Sequence, residues 1–456
     1  MKKFNIILAT DKKFGIGKNN TLPWAFSMDM KHFTNLTKPN NIFNHNNILI
    51  MGRRTWESMN YKDLPNRLNY VISSQEFNNI DSFNNTLFFK NFYSAYLHAC
   101  KSKGDVWVIG GSKIYDSAIR HWACDKVYWT LIKGDFDSHI QFDISKYKID
   151  WYDEIEQNDI NKLDNTEYQL LFKVGSVIHN LEAQYLHTLH HLITVGEERN
   201  TRNGITVSKF NRTLTWNLED GFPLLTTKKV FWKGIVEELL FFIRGETDTT
   251  KLSAKGVKIW ELNSSREFLD QMGFVNYPVG EIGPMYGYQW RNFNSQGIDQ
   301  LKKLINDIKT DNNSRRLLIT DYNPAQAHLG VLYPCHSIIL QFYVENKKLS
   351  CSMYQRSVDS VCGLPFNIAS TSLLVHIIAM LAKLNVGKVN LIMGDYHIYK
   401  VHFEQVLTQL SRTPFDLPTL SMTNFETLEQ VENSTLEDYN IINYQSHSVI
   451  KAQMVA

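Results

Sequence analysis

Short β-branched and aromatic runs alternating with amphipathic stretches predict an α/β fold for the first part of this chain, with a mainly parallel central sheet and flanking helices. Near residue 180 the pattern changes to longer helices interleaved with strands, which predicts a second, α+β domain. The length agrees, because at roughly 100 to 200 residues per domain 456 residues hold more than one core. No internal repeat is visible, so the two parts are different folds. Apolar residues at 43 % and charged residues at 21 % exclude a disordered, collagen-like or disulfide-scaffold chain. Charge is balanced, with 22 basic against 19 acidic side chains up to residue 179 and 26 against 27 beyond it. Neither part is a polyanion binder by bulk charge.

The elements follow in order. FNIILA from Phe4 is the first strand; NILIMG from Asn47, LNYVISS from Leu68, TLFF from Thr86, DVWVIGG from Asp105, KVYWTLI from Lys126 and YQLLFKV from Tyr168 extend the sheet. Their nearly continuous apolar character is that of strands covered on both faces. Between them MDMKHFTNL (28–36), FYSAYLHAC (92–100) and KIYDSAI (113–119) read as helices. The Asn-rich segments PNNIFNHNN (39–47) and EFNNIDSFNNT (76–86) are too polar for strands and read as surface loops. Between Lys173 and Glu182 a helix takes over, with Leu186, Leu189 and Ile193 on one face and Gly196 as its stop. No Pro/Gly/Ser-rich tether appears, so the domains are placed at 1–175 and 184–456 with a short linker at 176–183. Beyond it, GIVEELLFFIRG (234–245), IDQLKKLINDIK (298–309) and STSLLVHIIAMLAKL (370–384) read as helices. RRLLITDY (315–322), SIILQFYVENKKLSCSMYQRS (337–357) and KVNLIMGDYHIY (388–399) read as strands.

Five cysteines (Cys100, Cys124, Cys335, Cys351, Cys362) without a Cys-x-x-Cys argue against a disulfide framework or a zinc site, so a reducing, cytoplasmic location is expected. The first apolar run has about six residues before Asp11, too few for a signal-peptide core. The longest, Leu373 to Leu384, contains His376 and Lys383 and falls short of the roughly 20 residues a membrane span needs. It reads as a buried helix, and no membrane partner is expected. His187, His190 and His191 have helix spacing that a metal could use, but no Cys or carboxylate pattern joins them, so no metal is expected.

In the first part, glycines punctuate the strand ends at Gly15-Ile16-Gly17, Gly52-Arg53-Arg54-Thr55 and Gly110-Gly111-Ser112. A strand running through Gly-Gly into a helix offers bare backbone N–H groups to a phosphate. Singly, each cluster is better explained as a tight turn, and none is G-x-G-x-x-G. Asp29 sits beside Met28 and Met30, with Phe33 one helical turn onward. A carboxylate among apolar neighbours has a raised pKa suited to proton traffic with a heterocycle. With Leu22-Pro23-Trp24, Met51-Gly52-Arg53-Arg54-Thr55-Trp56-Glu57-Ser58, Leu64-Pro65-Asn66-Arg67, Ser73-Ser74-Gln75, Ile109-Gly110-Gly111-Ser112, Tyr115 and Thr130, these residues resemble dihydrofolate reductase over nearly all of the first 173 positions. The resemblance implies that Asp29 holds the pterin and promotes protonation at N5, with Thr130 behind it. It implies folate contacts at Leu22, Phe33 and Arg67, the last to the glutamate carboxylate. It implies NADPH contacts at Ala9, Gly17, Gly52, Arg53, Arg54, Thr55, Ser73, Ser74, Gly110, Gly111, Ser112 and Tyr115, where arginines suit a 2′-phosphate. Asn66 stands where a glycine is usual and Ser27 where a proline is common.

In the second part Cys335 lies in Leu332-Tyr333-Pro334-Cys335-His336, between Arg315-Arg316 and Tyr354-Gln355-Arg356-Ser357. A lone cysteine is most often a small buried hydrophobe, but a thiolate needs nearby positive charge, which these arginines supply. Together with Phe222-Pro223-Leu224-Leu225-Thr226-Thr227-Lys228-Lys229, Gly283-Pro284-Met285-Tyr286-Gly287, Gly363-Leu364-Pro365-Phe366-Asn367 and Gly394-Asp395-Tyr396-His397-Ile398-Tyr399, they resemble thymidylate synthase from about residue 180 onward. The resemblance implies Cys335 as the nucleophile toward dUMP, Glu238 as organiser of proton transfers and Tyr286 in removal of the C5 proton. Methylene-tetrahydrofolate would be the co-substrate, touching Trp260 and Asp359. The dUMP site would comprise His336, Gln355, Arg356, Ser357, Asp359, Asn367, His397, Tyr399 and Arg202, with Arg199 as the other choice for the N-terminal phosphate loop. Arg315 and Arg316 would serve the partner's phosphate in a homodimer. Tyr322 replaces a usual tryptophan, Asn263 stands where some members have tryptophan, and the terminal IKAQMVA lacks the prolines common before it.

The combined resemblance implies a chain that makes dTMP and dihydrofolate in its second part and regenerates tetrahydrofolate in its first. Two rivals exist: an inert reductase-like scaffold, which the intact Asp29 and Arg67 oppose, and an RNA-binding autoregulator, which the balanced charge opposes.

Overall fold

The computed structural model describes residues 2–39, 46–61, 63–75, 85–179 and 181–455. The chain divides into two compact units, 1–183 and 184–456. Most of both Asn-rich segments lies outside the described residues.

The first unit contains β1 (Phe4–Thr10), β2 (Gly15–Gly17), α1 (Ser27–Thr37), β3 (Asn47–Gly52), α2 (Arg53–Ser58), β4 (Arg67–Ile72), β5 (Thr86–Phe89) and α3 (Phe92–Ala99). It continues with β6 (Val106–Val108), α4 (Ser112–Ile119), β7 (Cys124–Ile132), β8 (Ile140–Gln141), β9 (Ile149–Asn161) and β10 (Thr166–Val177). Eight strands form one sheet in the order β5-β4-β3-β6-β1-β7-β10-β9. The six from β5 to β7 are parallel, and β10 and β9 add antiparallel. Strands such as β3, with Ile48, Leu49, Ile50 and Met51 all at 0 % exposure, are covered on both faces, as their unbroken apolar sequence requires.

The mainly parallel sheet expected from the sequence is therefore present, but β9 is an addition to it. IDWYDEIEQNDIN is acidic and mostly exposed, so it lacks the apolar signal of a buried strand. It is the sheet's edge, where charged side chains oppose pairing with another chain.

The second unit contains α5 (Leu181–Val195), β11 (Glu197–Thr201), β12 (Gly204–Asn217), α6 (Trp232–Ile243), α7 (Thr250–Ala254), α8 (Arg266–Gln271), α9 (Gly287–Arg291) and α10 (Gln300–Thr310). There follow β13 (Leu318–Ile319), β14 (Ile339–Glu345), β15 (Lys348–Asp359), α11 (Gly363–Leu381), β16 (Asn385–Tyr399), α12 (Phe403–Leu410), β17 (Thr419–Met422), α13 (Leu428–Glu432) and β18 (Tyr439–Ile442). A six-stranded mixed sheet runs β11-β12-β16-β15-β14-β13, with only β15 and β16 parallel. Of the apolar helix α11, 78 % of the most hydrophobic window is buried inside the unit. That is the position of a core helix.

Three expectations need correction. The span 176–183 is not free chain, because β10 runs through Val177 and α5 begins at Leu181. The run 337–357 is a hairpin and not one strand: Asn346 (φ 50°) and Lys347 (φ 59°) both turn left-handed between β14 and β15, the two-residue turn that matches strand twist. The strand expected over 315–322 shortens to Leu318–Ile319, since Arg315 and Arg316 leave the sheet as exposed residues.

Candidate active sites

Parallel strands bring their carboxyl ends to one edge, where ligands of such sheets are held. Ala9, Gly52, Ser73 and Gly110 follow from the ends of β1, β3, β4 and β6, so the residues implied for the dinucleotide share that edge. The N–H of Gly52 donates to Gly110 O (2.7 Å), tying two of these turns together. Gly110 has φ +106°, and a Cβ there would lie 2.9 Å from the Tyr115 ring, so only glycine fits. Gly111 opens α4, Ser112 Oγ donates to Gln141 O (2.8 Å) and the Tyr115 hydroxyl donates to Ile7 O (3.0 Å). Thr55 reaches toward Gly111, and Arg53 pairs with Glu57 one turn along α2 while Arg54 and Ser74 are exposed. Gly17 lies in β2, and Leu22 is exposed in the segment that follows it. Bare glycine backbone with two arginines and hydroxyls along one edge is a donor set that fits a phosphorylated dinucleotide.

The half-buried Asp29, in the first turn of α1, has its carboxyl raised to about 6, chiefly by desolvation. A hydrogen bond from Thr130 on β7 lowers it, and the charge of Asp159 raises it. The raised carboxyl and its cause, desolvation, are those expected from the sequence, but the flanking Met28 and Met30 are 39 % and 49 % exposed and are not the main cover. Neighbours in helix sequence do not share a face. Asp159 was not found from sequence; it accepts from Met28 N (2.8 Å) across 131 positions. At the other end of α1, Arg67 is 3 % exposed, donates to Thr37 Oγ1 (2.7 Å) and lies 5.9 Å from the Phe33 ring. No carboxylate pairs with it among the described residues. Asn66 has φ +61°, which explains why a glycine position accepts asparagine, the side chain that best tolerates this region.

In the second unit, Cys335 precedes β14 and its Sγ lies 3.4 Å from the hydroxyl of Tyr286. Tyr286 is 1 % exposed, with φ +43°, a strained backbone that packing around the site maintains. Burial raises the Cys335 thiol, while Tyr286 and Arg356 lower it. Arg356 is fixed by donating from Nε to Pro334 O (3.0 Å), the carbonyl just before the cysteine. His336 stacks on Tyr286 at 4.3 Å and is lowered by burial to about 4, so it is neutral. Glu238 projects from α6 and accepts from Trp260 Nε1 (2.9 Å), and desolvation raises it to about 7. Adjacent β15 and β16 bring Gln355, Arg356, Ser357 and Asp359 alongside His397 and Tyr399, with Asp359 paired to His397 in register. Asn367 lies in α11, the helix that follows β15. His397 Nδ1 contacts Asp395 Oδ1 (2.8 Å).

Arg202 and Asn203 form the two-residue turn between β11 and β12, and Asn203 bonds the Tyr399 hydroxyl. Arg199 instead lies 3.9 Å from Asp395. Arg315 and Arg316 are exposed and form no ion pair among the described residues. His187 contacts Arg212 (3.0 Å) and His191 contacts Tyr396 (3.1 Å), so these histidines are engaged in packing. Asp359, Cys362 and His402 have ligand atoms within 4.8 Å of one another, but the buried Lys228, whose charge reaches Asp359 and Cys362, opposes a second cation there.

One unit thus has the architecture of a dinucleotide-dependent reductase with a proton-holding carboxyl, and the other that of a transferase built on a buried cysteine. Residues 3–175 match the family model for dihydrofolate reductase and residues 183–456 that for thymidylate synthase. A bifunctional dihydrofolate reductase-thymidylate synthase of Paramecium tetraurelia is 36 % identical over 99 % of both chains. The Zea mays protein of that name is 33 % identical, over 99 % of this chain and 97 % of its own. The Plasmodium chabaudi one is 32 % identical, over 97 % and 94 %. The chain belongs to the bifunctional dihydrofolate reductase-thymidylate synthase family, and is an oxidoreductase and a methyltransferase at once.

Proposed function

We propose that the synthase unit converts dUMP to dTMP with methylene-tetrahydrofolate, and that the reductase unit returns the released dihydrofolate to tetrahydrofolate with NADPH. The observation that carries this reading is that each unit holds its own half-buried acid at neutral-range pKa, Asp29 at about 6 and Glu238 at about 7.

In the reductase unit NADPH would supply hydride, held at the glycine edge by Arg53, Arg54 and Ser74. Asp29 holds the pterin amino and N3 groups and favours a proton at N5. Asp29 and Thr37 are about 12 Å apart at 1.5 Å per helical residue, so α1 spans from the ring to the Arg67 guanidinium that takes the glutamate carboxylate. In the synthase unit the Cys335 thiolate adds to C6 of dUMP, the electron pair passes to C5, and C5 takes the methylene. Tyr286 assists loss of the C5 proton, and Glu238, with Trp260, organises waters for proton transfer at the folate. Asn367 reads the uracil edge, and His397 and Tyr399 bind the ribose hydroxyl. Arg356 and Ser357 hold the phosphate, and Arg202 joins them because Arg199 is turned to Asp395.

The synthase unit acts as a homodimer. One face of its sheet exposes the cross-strand row Leu318, Gln341, Ser352, Asn390 and Thr215, and beside it Ile339, Tyr354 and Ile392. An uncovered sheet face bearing Ile339 (46 % exposed) and Tyr343 (61 %) suits a second copy.

The test is NADPH oxidation with dihydrofolate, run on the wild type and on Asp29→Asn, beside dUMP-dependent dihydrofolate formation. Loss of at least about tenfold in the first with the second preserved is expected. A wild type that forms dTMP but oxidises no NADPH would make the first unit a scaffold.

A further inference from the structure

The segment around the short edge strand β13, paired to the β14 that follows Cys335, breaks its own pattern. Leu317 and Ile319 are 1 % and 0 % exposed, while Leu318 between them is 47 % exposed, the alternation of a half-covered strand. The next inward position is Asp321, 1 % exposed. A place that alternation reserves for an apolar side chain therefore carries a carboxyl, and neither of its oxygens has a hydrogen-bond partner in another of the described residues. Buried polar groups are nearly always paired, and a local rule broken without compensation marks function more often than accident.

Pairing of Ile319 with Leu340, and donation from Thr320 Oγ1 to Ile338 O, set Asp321 beside the chain that has just left Cys335 and His336. A charge on Asp321 reaches both Cys335 and Tyr286. Among the described residues, Arg356 comes from β15, neutral His336 from the cysteine segment and Tyr286 from the loop before α9, α10 offers the Gln300 amide, bonded to the Thr320 backbone, and Glu238 on α6 is linked to Tyr286 through Trp260 and titrates alike in the wild type and in both Asp321 variants.

We infer that Asp321 is a positioning residue for the nucleophile: its carboxyl and the Cys335 thiol share one negative charge, and the reactive form has Asp321 protonated and Cys335 ionised. This rests on Cys335 being the nucleophile. Two like charges in one dry pocket exclude each other, so the pair loses a single proton first, from sulfur or from oxygen. Arg356, fixed on the Pro334 carbonyl, draws that charge toward sulfur. A second proton leaves only at higher pH, when both groups ionise.

The experiment is the pH dependence of Cys335 alkylation by iodoacetamide in the full chain, followed by peptide mass spectrometry because four other thiols are present. The wild type is expected to rise in two steps. Asp321→Asn, which keeps the shape and cannot ionise, is expected to rise in one. If the charge is shared equally, half of the sulfurs are ionised between the steps, so the variant reacts about twofold faster there. Asp321→Leu restores the apolar alternation and is expected to give the same single step. Superimposable wild-type and Asp321→Asn profiles would overturn the inference, as would unfolding of the synthase unit by either variant, which would assign Asp321 to structure. Cys335→Ser separates the underlying reading: retained dTMP formation would remove the nucleophile role while leaving the alkylation result for Asp321 standing.

Discussion

Asp29 shows how burial and two neighbours set one proton. Desolvation lifts its carboxyl to about 6, Asp159 adds to the lift and Thr130 opposes it. The reductase hydride step is expected to weaken as pH rises through about 6, because the protonated acid is lost. Asp159→Asn removes a like charge and moves the midpoint down, and Thr130→Val removes the bond that favours the carboxylate and moves it up. Stopped-flow NADPH oxidation across pH reads both, and midpoints that stay in place would sink the assignment. The sign for stability follows. Between the ordinary 3.8 and about 6 the folded chain binds a proton the unfolded chain has released, so the contribution of Asp29 falls as pH rises through that window. At neutral pH Asp29→Asn is therefore expected to raise the Tm of the reductase unit. At this scale motif residues such as Asp29, Glu238 and Cys335 are legible in sequence, because their neighbours along the chain mark them. Asp159 and Asp321 are not, since what distinguishes them is a partner 131 positions away in one case and, in the other, the lack of a partner in any other described residue.

Elements were legible where apolar pattern alone decides them, as in β3 or α11, and illegible where a turn or an edge decides. The β14–β15 hairpin hides in an unbroken run because its signal is two left-handed residues, Asn346 and Lys347, neither of them glycine. The acidic β9 is a strand only because β10 pairs with it from Asn161 to Ile149. Asn66 is the instructive junction: it stands before β4 at φ +61° and sets where Arg67, the residue proposed to bind the folate glutamate, begins the strand. Asn66→Gly keeps that backbone and is expected to change stability by a few tenths of a kcal/mol, roughly the cost of glycine's extra freedom in the unfolded chain. Asn66→Val cannot hold it without about 1–2 kcal/mol of strain, and is expected to raise KM for dihydrofolate by about tenfold as Arg67 shifts. Urea melts with dihydrofolate kinetics check both, and equal KM for the two variants would show that Asn66 does not position Arg67.

For the whole molecule, the question is which functions belong to one chain and which to two. The residues proposed for the reductase lie in one unit, from Ala9 to Thr130, so on that proposal the reductase needs no second chain. The synthase is different, because Arg315 and Arg316 stand exposed, without acidic partners among the described residues, at the end of the sheet whose uncovered face carries Leu318, Ile339 and Tyr343. A cation pair left uncommitted beside an exposed apolar face would, in the proposed homodimer, serve a neighbour's phosphate. Mixed dimers decide this. Cys335→Ala chains lack a nucleophile, and chains with Arg315→Ala and Arg316→Ala lack the donated cations, so each homodimer is expected to be nearly inactive as a synthase and fully active as a reductase. In a mixed dimer the intact Cys335 faces intact arginines from the other chain, giving one working site. Random reassortment makes half of the dimers mixed, so about a quarter of wild-type synthase activity should return. If the arginines act on their own chain's phosphate, every site in the mixture is defective and nothing returns, while NADPH oxidation stays unchanged throughout.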